Sequence, residues 1–422
     1  MFRKLMTAGA LALSLMADSA LADTTLQLTE VITSPQRTEH LKGMIARFEQ
    51  ANPGVKVEVT SLPWGQAFEK LATMVQGGNI PDVVEMPDRW LALYAANEQL
   101  ENLEPYLKDW PVTSQLTDRA VQFGSWYKNT PYMIPYGFYI RAMFWNKELF
   151  AEAGMTEPPK TTQEFVEASK KIAALGGGKT GYCLRGGPGA TNGYIMFMLN
   201  ELGSNEFFDA EGNSVLNKPE AIKGLQILAD MYKEGAVPKD SVNWGFNEIV
   251  AGFYSGTCAM LDQDPDALIA IAERMPAEKF AVAPMPLGPS GKSFPTMGYA
   301  GWAMFAASEQ KEESWKLIAH LSSPEMNLEW AKVVGVIPIH KGAEKDPFFD
   351  TEQYRGWFTE LNDPRWQLTA MPTYLEEFGF FADQISISGG QEMLLGQRTP
   401  EDVANEWASY LTDAQKKWLA AR

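Results

Sequence analysis

The feature that most restricts the fold is an alternation of periods between residues 25 and 86. From Thr25 the run TLQLTEV reads as a strand, and Leu41, Met44, Ile45 and Phe48 then recur at helical spacing until Asn52-Pro53-Gly54 stops them. Val55, Val57 and Val59 alternate as a second strand. Phe68, Leu71, Met74 and Val75 form a second helical stripe ended by Gly77, and Pro81-Asp82-Val83-Val84-Glu85-Met86 reads as a third strand. Strands joined through helices lie parallel, the crossovers are right-handed, and ligands bind beyond the carboxyl ends of such strands. The loops beginning at Ser34, Pro63 and Pro87 are therefore expected to face one cleft.

Similar units follow after Trp145. Thr161 and Glu164 form a cap signature ahead of Phe165, Ala168 and Ile172, and Tyr182 to Arg185 reads as a strand. Pro219 opens a helix carrying Ile222, Leu225, Leu228 and Tyr232, and Ala259 to Leu261 is the next strand. Between the two sets, Tyr132 to Asn146 reads as one buried strand passing from lobe to lobe. The last section is mainly helical, with Thr399-Pro400-Glu401-Asp402 capping a stripe of Val403, Trp407, Tyr410 and Leu411.

Arg3 and Lys4, an apolar run from Leu5 to Ala17 and Ala20-Leu21-Ala22 read as a signal peptide over residues 1–22, with the mature chain starting at Asp23. That leaves about 400 residues, more than one core organises, so two domains are expected. The chain carries a formal charge of −17. Such an acidic surface repels phosphate backbones and anionic lipid, which argues against nucleic acid or membrane surfaces as partners. Export permits oxidation of Cys183 and Cys258, and their flanking segments TGYCLR and GTCAML are both strand-like. A bridge requires those strands to be neighbours; two buried thiols are the other reading.

The segments FEQANPGVKVEV, GNIPDVVEM, WNKELF, AGMTEPPKTTQEF, FYSGTCAML, PMPLGPSG and RTPEDVANEW stand in an order and spacing that resembles the extracellular solute-binding proteins of carbohydrate ABC importers, the maltose-binding-protein-like family. The resemblance spans nearly all of the mature chain. It implies an α/β fold of two Rossmann-like lobes joined by a hinge, of the type II periplasmic binding protein kind. The first lobe would comprise residues 23–138 plus 297–338, and the second 139–296 plus 339–422. It also implies a periplasmic monomer that closes over a sugar and delivers it to a membrane permease, with no enzymatic activity and no cofactor.

A sugar offers hydroxyls all round and C–H patches on its ring faces, so its site needs aromatic platforms beside fixed polar groups. Trp64 and Trp90 lie just beyond predicted strands, Trp244 lies between a loop and a helix, and Tyr299 and Trp302 lie in the returning segment. Simple packing is the competing reading for each. Among polar groups, Ser34 and Gln36 occupy the first loop, and Asp264 follows the strand ending at Leu261. By resemblance, Asp88 takes the place of a ligand-binding acid, and Tyr139 stands where relatives often carry an acid. Arg185 in CLRGGPG resembles the arginine-bearing loop of some polyol and sugar binders. Asp88 as a helix cap and Arg185 in a salt bridge between loops are the plainer alternatives. Tyr374, with Glu376 and Phe378, comes from the late segment that returns toward the cleft in relatives.

Gly178-Lys179-Thr180 and Gly291-Lys292-Ser293 imitate a phosphate loop but lack its first glycine, and Gly187-Pro188-Gly189 lacks the third glycine of a dinucleotide fingerprint. His40, His320 and His340 are scattered singly, without metal-ligand spacing. Two rival readings stand beside the sugar binder. One keeps the fold with a polyol, polyamine, metal ion or glycerol-phosphate as ligand; the other is a secreted glycoside hydrolase, which needs only two placed carboxylates.

Overall fold

The alternation folds into β1 (Thr24–Glu30), α1 (Pro35–Ala51), β2 (Val55–Ser61), α2 (Trp64–Gln76), β3 (Val83–Pro87) and α3 (Asp88–Ala96), with β1 parallel to β2 on one side and to β3 on the other. The computed structural model describes residues 24–421; the expected leader and Asp23 lie outside the described residues. Sequence explains where α1 starts. Ser34 Oγ accepts from the Arg37 N–H at 3.3 Å, and Pro35 occupies the first turn, where a missing N–H costs no helical bond. Leu41, Met44, Ile45 and Phe48 are all buried on the face turned to the sheet. Each contributes roughly 1.5–3 kcal/mol by leaving water.

A strand from far down the chain completes this first sheet. β9 (Thr296–Met304) runs antiparallel to β3 along one edge and to β4 (Met133–Ile140) along the other, while the short β10 (Thr369–Ala370) pairs in parallel with its start. The second sheet contains β5 (Ala142–Asn146), β6 (Thr180–Tyr182), β7 (Cys258–Gln263) and β8 (Phe280–Ala283), in the order β6-β7-β5-β8. Helices pack on both sheets, giving two α/β lobes.

Two expected strands differ from what forms. The single strand read over Tyr132 to Asn146 is split at Arg141, where the chain leaves the first sheet and enters the second. Arg141 is 1% exposed, and its Nη1 donates to the Asp262 carbonyl at 2.7 Å and to the Asp262 carboxylate at 3.0 Å. A buried guanidinium must find acceptors, and β7 supplies them. The strand read from Tyr182 to Arg185 is confined to Thr180–Tyr182, because the chain turns away where the Leu184 N–H meets the Tyr182 carbonyl.

β6 and β7 are parallel neighbours, with Thr180 opposite Cys258 and Tyr182 opposite Met260. This brings Cys183 and Cys258 to a Cα separation of 5.4 Å, and they form a disulfide. Of the two readings left open by the sequence, the bridge is the one that forms. Among the described residues no helix is long and apolar enough to cross a membrane.

Replacing both Cys183 and Cys258 with alanine is expected to cost about 2–4 kcal/mol, because the bridge closes a long loop in the unfolded chain. Urea unfolding of the oxidised protein beside the double variant measures this. Coincident curves would show that the bridge adds no stability.

Candidate functional site

The carboxyl ends of β1, β2 and β3 open toward the second lobe, and between the lobes lies a cleft of about 630 Å³. Its first wall is held by one buried carboxylate. Glu85, the middle residue of β3, is 1% exposed. Its Oε2 accepts from the Val31 and Ile32 N–H groups, each at 2.8 Å; its Oε1 accepts from Arg37 Nη2 at 3.0 Å and from the Tyr136 hydroxyl at 2.6 Å. Tyr136 spends its proton on Glu85, so Tyr139 is the donor in the 2.8 Å contact between the two phenols. Arg37 Nε donates to the Ile32 carbonyl at 2.7 Å, while its buried Nη1 has no protein partner among the described residues. Arg37 borders the cleft, with its guanidinium also 5.1 Å from the Trp330 ring.

Asp88 and Arg89 open α3. Asp88 Oδ1 accepts from the Arg89 N–H at 2.8 Å, and burial pushes its pKa up to about 6, against the pull of Arg89 and of the Arg89 and Tyr299 backbone N–H groups. Arg89 Nη1 donates to Asp383 at 3.1 Å, and the Trp90 indole donates to the other oxygen of the same carboxylate at 2.8 Å. Asp383 sits in a π-helical turn, Phe381–Ile385. Thr191 Oγ1, from the second lobe, donates to the Ala382 carbonyl of that turn at 2.7 Å. A hydroxyl that takes a carbonyl out of the regular ladder is an identifiable cause of such a bulge.

The facing wall comes from the second lobe. Arg141 Nε lies 3.5 Å from Asp264 Oδ1, and Arg185 Nε donates to the Pro188 carbonyl at 2.6 Å. Arg185 has no carboxylate within ion-pair distance among the described residues. Burial, with Arg141 nearby, pulls its pKa down to about 9. Burial, with the charge of Asp264 beside it, raises Asp266 to about 8. Gln263 Oε1, Asp264 Oδ1 and Asp266 Oδ1 are buried without a hydrogen-bond partner among the described residues.

Of the twelve residues singled out from sequence, Ser34, Gln36, Trp64, Asp88, Tyr139, Arg185, Asp264 and Tyr299 border the cleft. Four do not. Trp90 is not on a loop; it is the third residue of α3, 1% exposed, with its ring stacked 5.5 Å from that of Trp64. Trp302 is fully buried between Tyr136 and Trp330. The pleat explains it, since residues three apart on β9 point to opposite faces, so Tyr299 and Trp302 cannot share the cleft. Trp244 packs against Gly252, where an added Cβ would stand 2.9 Å from its ring. Tyr374 lies against Trp126 and Trp418 and donates to Gln415 at 2.8 Å, tying it to the last helix. The weaker candidates Glu376 and Phe378 also lie outside, the former accepting from Tyr127 and the latter packed on Phe381.

Sequence reading missed Arg37, Arg89, Arg141, Gln263 and Asp266. Arg141 did carry a signal, because a lone charge between the apolar runs MIPYGFYI and AMFWN must have a buried partner. Arg37 and Arg89 each adjoin a residue that was chosen.

The chain matches the family model described as bacterial extracellular solute-binding protein over residues 34–328. It is 26% identical over 415 residues to a putative binding protein of Brucella abortus, covering 97% of this chain and 98% of that protein. It is also 25% identical to an sn-glycerol-3-phosphate-binding periplasmic protein of Shigella flexneri, covering 82% of this chain and 83% of the relative. Among solved structures, an ABC transporter solute-binding protein from Thermotoga lettingae, bound with alpha-D-tagatose, superposes with a TM-score of 0.83 at 24% identity. That match covers 93% of this chain and all of the other, and it shows a common fold.

Two predictions follow from the walls. Glu85→Ala leaves the Arg37 guanidinium buried without its carboxylate and is expected to cost about 3–5 kcal/mol, read by urea unfolding. The raised pKa of Asp266 means that its contribution favours the fold at low pH and is lost as pH rises through about 8. Thermal melts should therefore show Asp266→Asn above the wild type at pH 8, with the gap closing toward pH 4. A gap that stays constant with pH would contradict this.

Proposed function

The chain belongs to the bacterial extracellular solute-binding protein family, and on that basis we propose that it is a periplasmic receptor for a carbohydrate, closing over it and passing it unaltered to the permease of an ABC importer. The observation that carries the carbohydrate reading is the character of the unpaired groups in the cleft. Donors of the first lobe (Arg37 Nη1, Arg89 Nε) and acceptors of the second (Gln263 Oε1, Asp266 Oδ1) have no hydrogen-bond partner among the described residues and belong to residues that border one cleft. A hydroxyl both donates and accepts, so a molecule covered in hydroxyls answers such a mixture, whereas a purely cationic or purely anionic solute answers half of it. The tagatose-bound Thermotoga protein of the same fold supports this choice of ligand.

The two bodies of the receptor are drawn at residues 23–138 plus 297–338 and residues 139–296 plus 339–422, although within the last stretch β10 and Asp383 are attached to the first lobe through β9 and Arg89. The groups buried on both walls give the closed form its advantage, since each gains a partner only when the lobes meet around a ligand. The protein acts as a monomer, makes and breaks no covalent bond in its ligand, and needs no cofactor. A phosphorylated polyol is the second reading, supported by the glycerol-phosphate-binding relative from Shigella and by Arg185, whose guanidinium lacks an ion-pair partner among the described residues.

Titrating tryptophan fluorescence with monosaccharides, polyols, oligosaccharides, polyamines and sn-glycerol 3-phosphate tests the reading. Saturable binding of a sugar or sugar alcohol is expected, and Asp88→Ala is expected to weaken it more than tenfold while the thermal melt stays that of a folded protein. Saturation by sn-glycerol 3-phosphate or a polyamine alone would displace the carbohydrate, and turnover of a glycoside would displace the receptor.

A further inference from the structure

Resting on the carbohydrate reading, we propose that the cleft is built for one compact, hydroxyl-dense unit, a monosaccharide or a sugar alcohol of similar size, and not for a run of linked sugar rings. An extended oligosaccharide presents one flat C–H face after another, so its groove needs a series of aromatic platforms. Phe246 borders the cleft, and of the thirteen tryptophans Trp64 alone does so among the described residues. Its ring is already engaged, stacked within 15° of parallel on Trp90, and the Arg89 guanidinium lies 5.4 Å from its centroid. The two tyrosines in the cleft are committed through their hydroxyls, Tyr139 to Tyr136 at 2.8 Å and Tyr299 to Thr373 at 3.4 Å.

Among Phe246, several prolines and aliphatic side chains, the wall also carries a dense set of charges. Arg37, Arg89, Arg141 and Arg185 face Asp88, Asp264 and Asp266 around a volume of about 630 Å³. Hydrogen bonds to charged groups are stronger than those between neutral partners, so affinity here scales with hydroxyls per unit of volume. A single polyol or sugar ring carries the highest density of them, and linking rings consumes hydroxyls in glycosidic bonds.

The rim argues the same way. Gln36 Nε2, from the start of α1, donates to Glu273 at 3.1 Å across the cleft. Gly65 faces the Pro188 ring from the opposite lobe. Elsewhere between the lobes, Gly335 lies so close to the turn at Pro265 that an added Cβ would stand 2.3 Å from the Pro265 carbonyl oxygen. A polymer leaving the cleft past Gln36 and Glu273, or past Gly65 and Pro188, must part that contact, whereas a single unit does not reach across it.

Isothermal titration of the mature chain tests the proposal, with D-glucose, D-galactose, D-tagatose, ribitol and sorbitol as single units and maltose, maltotriose, cellotriose and chitotriose as linked rings. At least one single unit is expected to bind tenfold or more tighter than every linked probe. A linked probe that binds more tightly than all the single units, or within tenfold of the best of them, overturns the size inference and leaves the carbohydrate reading standing. Silence from all nine probes overturns both.

Discussion

The carboxylate of Glu85 is the fixed point of the first lobe. Charge in the middle of a buried strand costs several kcal/mol in lost hydration, and only a full set of donors offsets it. The four donors come from three places in the chain: the Val31 and Ile32 N–H groups just after β1, Arg37 from α1 and the Tyr136 hydroxyl from β4. Satisfying that one group therefore sets the course of the loop from β1 to α1, the pitch of α1 and the approach of β4 to β3. The cleft inherits its shape from this arrangement. Arg37 makes three contacts through Nε and Nη2, so that its third guanidinium nitrogen, Nη1, is left over, and Tyr139 is anchored through Tyr136.

The same logic operates in the second lobe with signs exchanged. There the fixed charge is the cation of Arg141, standing where the chain changes sheets, and Asp262 and Asp264 on and after β7 answer it. The Tyr182 hydroxyl donates to Asp262 at 2.5 Å, so the carboxylate is shared between β6 and the crossing point. Each lobe thus presents to the other a wall whose inner layer is satisfied and whose outer layer is not. Outer groups with unspent hydrogen-bonding capacity raise the free energy of a closed, dry cleft, and a guest that pairs with them removes that cost.

Much of the fold was legible in sequence because it is written in local periods. The stripe of Leu41, Met44, Ile45 and Phe48 and the strand of Val55, Val57 and Val59 need no partner to be recognised, and the cap at Thr399 forms as expected with Asp402. Positions directly after predicted strands, such as Ser34, Asp88 and Asp264, reach the cleft for the same local reason. Facing direction was not legible. Trp90 and Trp302 differ from Trp64 and Tyr299 in which side of an element they occupy, and that depends on where α3 begins and on the pleat of β9, both set by tertiary pairing. The paired charges were hidden for another reason: Arg89 and Asp383 lie 294 residues apart, a separation that no window along the chain spans.

The position of β9 bears on how the polypeptide comes to be folded at all. β1, β2 and β3 are made first, but the neighbour of β3 on its open edge is Thr296–Met304, and β4 waits for the same strand. In a chain that crosses a membrane from its start, that edge stays unpaired until the distant β9 has also emerged. An unpaired edge of Val83, Val84 and Met86 is adhesive toward other chains. The nascent protein is thus kept from locking into its final shape until most of it exists, so chaperones that shield strand edges have a long interval in which to act.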